Sequence, residues 1–240
     1  MSKCKCIKYL NSDKCLCRLQ QFMVNDNFNY ESYGNCKING CYYIPDPNII
    51  NDFILNNEYA NFFKFIDIRT PFYKFYMDID LKILKQFKQI KYDIICNFII
   101  TNIIKVLQTN IKYTNENYFQ YIYATKNTYN SGIHLYFPNI IINNENSIAI
   151  VTKIINYLDN TNKFAGFNNK IWSNLIDRAI YSTRRPNGMK MLFQYDDDNT
   201  CYEINCEKST YPNVTTDKLQ QLQLTCLKTN HNQLNFKYQN

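Results

Sequence analysis

The sequence predicts a mixed domain of helices and strands, α+β or α/β in class, over roughly residues 45–205. Two observations predict this class: aromatic and β-branched runs typical of strands, and helix-like apolar periodicity between them. The 240 residues are 45% hydrophobic and 16% aromatic, which is ample for a packed core. Residues 1–44 hold six of the ten cysteines, and we interpret them as a Cys-rich N-terminal extension with one short helix near Leu16–Val24.

The elements of the predicted domain follow in chain order. Strands are expected over Phe65–Arg69, Phe72–Leu81, Tyr118–Thr125, Gly132–Phe137 (ended by Pro138) and Met191–Tyr195. Helices are expected over residues 90–108, Glu145–Leu158 and residues 215–229 with Thr215 or Thr216 as the cap. Ile171–Tyr181 is interpreted as a helix or a helix-to-strand transition, Arg184–Lys190 as a loop, and residues 206–240 as a helical C-terminal tail.

The charge balance favours a polyanionic partner. The 27 Lys and Arg residues exceed the 20 Asp and Glu residues, which gives a net charge of +7. Phosphate contacts dominate nucleic-acid affinity, so this excess suits nucleic acid. No apolar run approaches the roughly 20 residues that span a bilayer, and the N-terminus lacks a signal-peptide core. We therefore expect no membrane association and an intracellular, reducing location, where cysteines are thiols or metal ligands.

Two aspartates one residue apart, Asp78 and Asp80, lie within an otherwise hydrophobic strand. Side chains of a strand alternate between its faces, so both carboxylates project from one side while Met77 and Ile79 project from the other. Two carboxylates on one face repel each other unless a cation lies between them, and hard cations such as Mg²⁺ prefer carboxylate oxygen. An isolated Asp-x-Asp is also typical of a solvated strand end.

His134 is one of only two histidines and follows Gly132 by two positions. Alternation places Gly132, His134 and Tyr136 on one face and the apolar residues between them on the core face. A glycine two residues before an outward-facing histidine leaves room for a large ligand, such as a nucleotide, to approach the backbone. A hydrogen-bonded histidine on a sheet surface fits the same pattern.

A third segment combines one acid, Asp177, with a cluster of cations around Pro186 and Gly188. Arg184, Arg185 and Lys190 supply the guanidinium forks and the ammonium point charge that phosphate oxygens accept. A salt-bridged basic loop explains the segment equally well.

The order of the three segments resembles the archaeo-eukaryotic primase superfamily. Asp-x-Asp on a strand comes first, then Ser131-Gly132-Ile133-His134 on a second strand, then Asp177 followed by Arg and Lys. The residues of these motifs are most similar to those of the viral branch, meaning the herpesvirus primase subunit and the primase domains of large DNA viruses. The resemblance covers about residues 70–200. It implies an α+β fold with an RRM-like catalytic sheet and an additional N-terminal α/β unit, with residues 45–205 as the catalytic domain.

The resemblance also implies a function, that of a DNA primase or primase-polymerase. Such an enzyme makes primers from NTPs on a single-stranded DNA template by two-metal nucleotidyl transfer. The expected roles are Mg²⁺ or Mn²⁺ ligation by Asp78, Asp80 and Asp177, and nucleotide binding by Ser131, Gly132, His134, Arg184 (or Arg185) and Lys190.

Zinc is a further candidate cofactor, because many primases carry a zinc module, and free cysteines packed in a reducing compartment are the alternative. The candidate ligands are Cys4, Cys6, Cys15 and Cys17, with the pairs Cys36/Cys41 and Cys201/Cys206 as an alternative set. Neither set has the familiar two-residue spacing. No Walker A sequence is present, so we expect a replicative helicase or another replisome subunit on a separate chain or in a missing segment.

Two other functions fit parts of the sequence. A non-catalytic subunit that binds single-stranded nucleic acid needs only the positive charge and exposed rings. A metal-dependent nuclease also uses paired acids, but no Asp/Glu-x-Lys follows Asp80 on its strand.

Overall fold

The described part of the chain contains ten strands, four α-helices with described bounds and two 3₁₀ helices, and residues 51 and 54–56 are also helical. A computed structural model of the protein describes residues 23–24, 41–42, 51, 54–56, 66–81, 91–113, 115–126, 132–161, 171–181, 188–194, 200–227, 229 and 231–238. The strands are β1 (Met23–Val24), β2 (Cys41–Tyr42), β3 (Ile66–Ile68), β4 (Tyr73–Ile79), β5 (Ile111–Lys112), β6 (Ile122–Lys126), β7 (Ile133–Ile142), β8 (Gly188–Lys190), β9 (Tyr202–Ile204) and β10 (Lys237–Tyr238). The α-helices are α1 (Tyr92–Asn110), α2 (Asn144–Thr161), α3 (Trp172–Leu175) and α4 (Lys218–Thr225). The predicted α+β class is confirmed, whereas the predicted N-terminal α/β unit and the helix near Leu16–Val24 lie largely outside the described residues.

The central sheet has four antiparallel strands in the order β4-β7-β6-β9. Three two-stranded ribbons accompany it, formed by β1 with β2, β3 with β8, and β5 with β10. Most residues of β4 and β7 are buried, including those on alternate faces. Burial on both faces explains why these strands have nearly continuous apolar and aromatic sequences.

The two long helices pack their apolar stripes into the core. In α1 the buried positions include Ile95, Ile99, Ile103 and Val106, which recur at helical spacing. In α2 the stripe is Ile150, Val151, Ile154, Ile155 and Leu158. Both helices agree with the sequence prediction to within three residues at each end. The short helix α3 joins them through Trp172, whose ring lies 5.8 Å from that of Phe98.

Pro138 does not end its strand, contrary to the prediction. Strand β7 continues to Ile142, and its pairing with β4 shifts in register: Phe75 pairs with Phe137, but Lys74 pairs with Ile141. Pro138 lies in the bulge between these pairs, where no ladder hydrogen bond requires its missing N–H.

Two other strand predictions need correction. The strand expected over Met191–Tyr195 lies earlier, at Gly188–Lys190, where it pairs with β3. Residues 191–194 form a turn, with Phe193 at a φ of 61°. The strand expected from Tyr118 starts at Ile122, because a 3₁₀ helix over Glu116–Phe119 precedes it.

The C-terminal helix is shorter than predicted. It spans Lys218–Thr225, and the carboxylate of Asp217, rather than Thr215 or Thr216, accepts hydrogen bonds from the amides at its first turn. Beyond it, Leu227 and Phe236 are buried in the core. The backbone of Leu227 also pairs with that of Lys74 at 2.9 Å, so this segment packs against the central sheet.

One face of β4 is covered along half of its length. Lys74, whose pKa is lowered by burial, donates to the carbonyl of Leu224 in α4 at 3.3 Å. Tyr76 is fully buried beneath Tyr181, with ring centroids 5.6 Å apart, and each hydroxyl donates to a backbone carbonyl of the facing segment. Asp78, further along the same face, remains partly exposed. The sheet therefore opens to a pocket at the aspartate end.

Candidate active site

Strands β4 and β7 place Asp78 directly opposite His134. The imidazole Nε2 of His134 lies 3.6 Å from Asp78 Oδ1. The histidine side chain is 2% exposed and the aspartate side chain is 25% exposed. His134 is therefore buried rather than outward-facing as the sequence suggested, and Asp78 is the more exposed residue of the pair.

Asp177 pairs with the opposite edge of β4. Ile176 forms an antiparallel bridge with Ile79, the amide of Asp177 donates to the Asp78 carbonyl at 3.0 Å, and the amide of Asp80 donates to the Leu175 carbonyl at 2.7 Å. Ile79 and Ile176 are both buried, so strand alternation places Asp78 and Asp177 on the other face of this pairing. Residues far apart in sequence thus become backbone neighbours.

Two tyrosines hold the His134 ring. The Tyr202 ring stacks on it with centroids 3.5 Å apart and an interplanar angle of 17°. The second ring nitrogen of His134, Nδ1, lies 3.3 Å from the Tyr136 hydroxyl oxygen. Burial raises the pKa of Tyr136 well above its usual value, so its phenol stays protonated and able to donate. The phenol can donate to Nδ1, which puts the imidazole proton on Nε2 and directs it at Asp78, or its oxygen can accept from Nδ1–H in the other tautomer.

The absent side chain of Gly132 makes room for Tyr202 rather than for a ligand. A Cβ on Gly132 would lie 2.7 Å from the Tyr202 hydroxyl oxygen and 3.0 Å from the carbonyl oxygen of Ile79. The space beside this glycine, expected to admit a nucleotide, is therefore filled by a tyrosine of β9. Gly132 shapes the site from behind the stacked rings.

An open pocket of about 610 Å³ collects most of the predicted site residues that the structure describes. Its predicted members are Asp78, Asp80, His134, Asp177 and Lys190. Its further wall residues are Lys126, Ser173, Asn174, Ile176, Arg178 and Tyr202. Ser131, Arg184, Arg185 and the candidate zinc ligands Cys4, Cys6, Cys15 and Cys17 lie outside the described residues.

The pocket combines acids with cations. Lys126 is only 7% exposed, and its Nζ lies 5.3 Å from the centroid of the Tyr202 ring. Tyr202 therefore contacts both His134 and a lysine ammonium. Lys190 enters from β8, and Arg178 follows Asp177 directly. A wall with carboxylates beside lysine and arginine suits a ligand that brings both metal ions and phosphates.

The three carboxylates supply the type of ligand that hard divalent cations prefer, since Mg²⁺ and Mn²⁺ bind oxygen atoms. One oxygen of Asp177 accepts a hydrogen bond from the Ala179 amide at 2.8 Å. Across the described residues, no three His, Cys, Asp or Glu side chains are close enough to share a metal ion. Metal binding at Asp78, Asp80 and Asp177 therefore requires these carboxylates to turn toward one another.

Comparison with known families agrees with this geometry. Residues 33–207 match the family model of the C962R protein N-terminal AEP domain, where AEP denotes archaeo-eukaryotic primase. The chain belongs to this family. The resemblance to the viral branch of the primases is thus confirmed, and the AEP match includes every wall residue of the pocket. No curated protein matches the chain. Among the described residues of this AEP protein, no helix is long and apolar enough to cross a membrane.

Sequence reasoning missed six wall residues of the AEP pocket, and three of these carry a charge or an aromatic ring. Lys126 follows directly on the predicted strand Tyr118–Thr125, so its position before a turn was the available signal. Arg178 directly follows Asp177, and this adjacency was the available signal. Tyr202 belongs to a strand that was not predicted, and only its pairing with β6 brings it over His134.

Proposed function

We propose that the protein is a primase that synthesises primers on single-stranded DNA by nucleotidyl transfer from NTPs. The observation that carries the proposal is the backbone pairing of Asp177 with Asp78, which puts a third acid beside the Asp-x-Asp pair on the wall of one pocket. Membership in the AEP family supports primase-type chemistry at this pocket.

In this proposal Asp78, Asp80 and Asp177 hold Mg²⁺ or Mn²⁺. When bound, such ions activate a 3′-hydroxyl and stabilise the displacement of pyrophosphate from the incoming nucleotide. The protein supplies the ligands from two segments that the β4 pairing holds together, so the spacing of the acids is set by backbone hydrogen bonds.

The cations on the other walls bind the triphosphate. Lys126 and Lys190 face the same pocket as the acids, and Arg178 lies at its rim. His134 presents Nε2 to this region, and its proton on that atom donates to a phosphate oxygen once the Asp78 carboxylate turns away. Tyr202 and Tyr136 keep the imidazole in place during that exchange.

A primer-synthesis assay on a single-stranded DNA circle, with labelled NTPs and Mn²⁺ or Mg²⁺, tests the proposal. The double variant Asp78→Asn/Asp80→Asn keeps side-chain size and should lose at least about 100-fold in incorporation, since a bound metal stabilises charge by several kcal/mol. Asp93→Asn is the matched control, because Asp93 is an exposed acid on α1 that pairs with Lys208.

The same assay separates the other functions. Wild-type protein that binds the circle but incorporates no nucleotide with either metal would identify a non-catalytic binding subunit. Cleavage of the circle without NTP would identify a nuclease. Normal incorporation by the folded double variant would overturn the proposed role of the two aspartates.

A further inference from the structure

Two lysines face each other on a ribbon remote from the pocket. Strands β5 and β10 pair in a register that puts Lys112 directly opposite Lys237, and both side chains are exposed. Like charges at directly opposed positions of a sheet destabilise the pairing. The ribbon forms despite this repulsion, and an anionic partner bound across both lysines would offset it.

Two more lysines extend this charge. Lys153 of α2 donates to Asn110 Oδ1 at 2.6 Å, and its Nζ lies 5.7 Å from the centroid of the Tyr238 ring on β10. Lys105 of α1 lies 5.5 Å from the ring of Tyr157, one helical turn along α2 from Lys153. We call Lys105, Lys112, Lys153 and Lys237 the lysine patch.

The lysine patch lacks acidic partners. Within the part of the chain that the structure describes, none of its four ammonium groups lies within 4.0 Å of a carboxylate. Glu145 lies near enough to Tyr238 for its charge to add to the effect of burial, and together they raise the pKa of that tyrosine to about 12. Four lysines without an ion-paired carboxylate give the patch a positive charge.

An exposed aromatic ring borders the patch. Tyr113 follows Lys112, is 41% exposed, and stacks on Tyr118 with ring centroids 3.5 Å apart and an interplanar angle of 18°. Tyr118 is buried and donates to Asn235 Oδ1 at 2.6 Å, which fixes the ring below. A ring held flat beside lysines is the arrangement on which single-stranded nucleic acids stack their bases and bind their phosphates.

The patch and the pocket lie at opposite ends of β4. Tyr238 donates to the Asn146 carbonyl, close to the Tyr73–Ile142 pair at the start of the strand, whereas Asp78 lies near its other end. Five residues of strand separate the two ends by roughly 17 Å. The patch and the pocket are therefore two separate places on the molecule.

We propose that the lysine patch and Tyr113 form a second binding surface for single-stranded DNA, which holds the template away from the pocket. This surface goes beyond the proposed catalysis, because binding to it requires neither metal nor nucleotide. The competing explanation is that lysines on a ribbon edge only prevent strand-to-strand association.

Fluorescence anisotropy with the full chain tests the surface, without metal or NTP. The probe is labelled oligo-dT of about 30 nucleotides, longer than the roughly 4–16 nucleotides of one single-strand site. The double variant Lys112→Gln/Lys237→Gln is compared with Lys91→Gln/Lys218→Gln, which removes the same charge from exposed lysines outside the patch.

The patch variant should bind the labelled oligo-dT about tenfold more weakly than the control at low salt. A plot of the logarithm of its association constant against the logarithm of the salt concentration should have a slope smaller in magnitude by about 1.4, which is 0.7 for each lost phosphate contact. Tyr113→Ala should lower affinity by a similar factor without changing the slope. A short oligo-dT of about 6 nucleotides, below most single-strand site sizes, should bind the patch variant and the control with more similar affinities.

Equal affinities of the patch variant and the control for the long oligonucleotide would overturn the proposal. Self-association of the patch variant with unchanged DNA binding would instead establish the edge-protecting role. Primer synthesis at saturating template should stay at the wild-type rate in the patch variant, so failure of this surface is distinguishable from failure of the catalytic proposal.

Discussion

The amide of Asp177 donates to the carbonyl of Asp78 at 3.0 Å, and this hydrogen bond, with the one from the Asp80 amide to the Leu175 carbonyl, brings the third motif of the sequence to the first. The bridge between Ile79 and Ile176 beside it is buried, so the apposition is supported by the core and not by the acidic side chains themselves. Substitutions of the acids can therefore test chemistry without dismantling the pairing.

Asp177 offers a way to separate catalysis from stability. Its carboxylate also accepts from the Ala179 amide, and asparagine keeps that acceptor whereas alanine does not. We expect Asp177→Asn and Asp177→Ala to lose nucleotidyl transfer to the same extent. Only the alanine variant should lose about 1 kcal/mol in the free energy of unfolding, measured by urea denaturation. Full activity of the asparagine variant would contradict a metal-binding role.

Tyr202 should act as a positioning residue through His134. Tyr202→Leu removes the stacked ring, and we expect kcat/KM for NTP to fall about tenfold because the imidazole is no longer held in place. Tyr202→Phe keeps the ring and should keep most activity. The NMR signals of the two histidines supply an independent readout, with exposed His231 as an internal reference. Unchanged His134 signals in the leucine variant would argue against this role.

Gly132 and Tyr202 should be energetically coupled. Gly132→Ala puts a methyl group 2.7 Å from the Tyr202 hydroxyl oxygen, and we expect a loss of about 1–3 kcal/mol in the free energy of unfolding. In a Tyr202→Phe background that oxygen is gone, so the loss should shrink by more than about 0.5 kcal/mol. A double-mutant cycle from thermal or urea unfolding measures the coupling, and strict additivity would refute it.

Alkaline pH should destabilise the fold through its buried tyrosines. Burial raises their pKa above the ordinary value of 10.0, so above that pH the unfolded chain loses phenolic protons that the folded chain keeps. Stability is thus fully present below pH 10 and falls as the pH rises, by up to about 1.4 kcal/mol per pH unit for each tyrosine. Urea unfolding below and above pH 10 measures this, and a constant free energy would contradict it. The tyrosines concerned are Tyr73, Tyr76, Tyr118, Tyr123, Tyr136 and Tyr181.

Local patterns predicted the elements well where periodicity was strong. Helices α1 and α2 and strand β4 carry apolar stripes long enough to define their type and most of their length. The prediction that Pro138 ends the strand was wrong because a bulge in the pairing with β4 accommodates the proline. Such a bulge is visible only once the partner strand is known. The strand at Gly188–Lys190 was missed because it has only three residues and is defined by its pairing with β3, which the local sequence does not indicate.

The candidate site was predictable in its acids and in His134, but not in its surroundings. Lys126 and Tyr202 reach the pocket through the register of β6 with β9, and register is a non-local property. Burial of His134 could not be predicted either, since strand alternation assigns it a face without stating what covers that face. The domain boundaries at residues 44 and 205, the metal ions, the zinc ligands and the partners remain predictions.

The bridge between Ile79 and Ile176 has a consequence for how the protein matures. It joins segments separated by roughly a hundred residues, and contacts of such long sequence separation slow folding because closing a long loop costs conformational entropy. A nascent chain that has not yet reached Asp177 can already pair Asp78 with His134, yet it has no acid on the outer edge of β4. The proposed metal site would then be complete only after residue 177 has been made, and shorter nascent chains would lack its third acid.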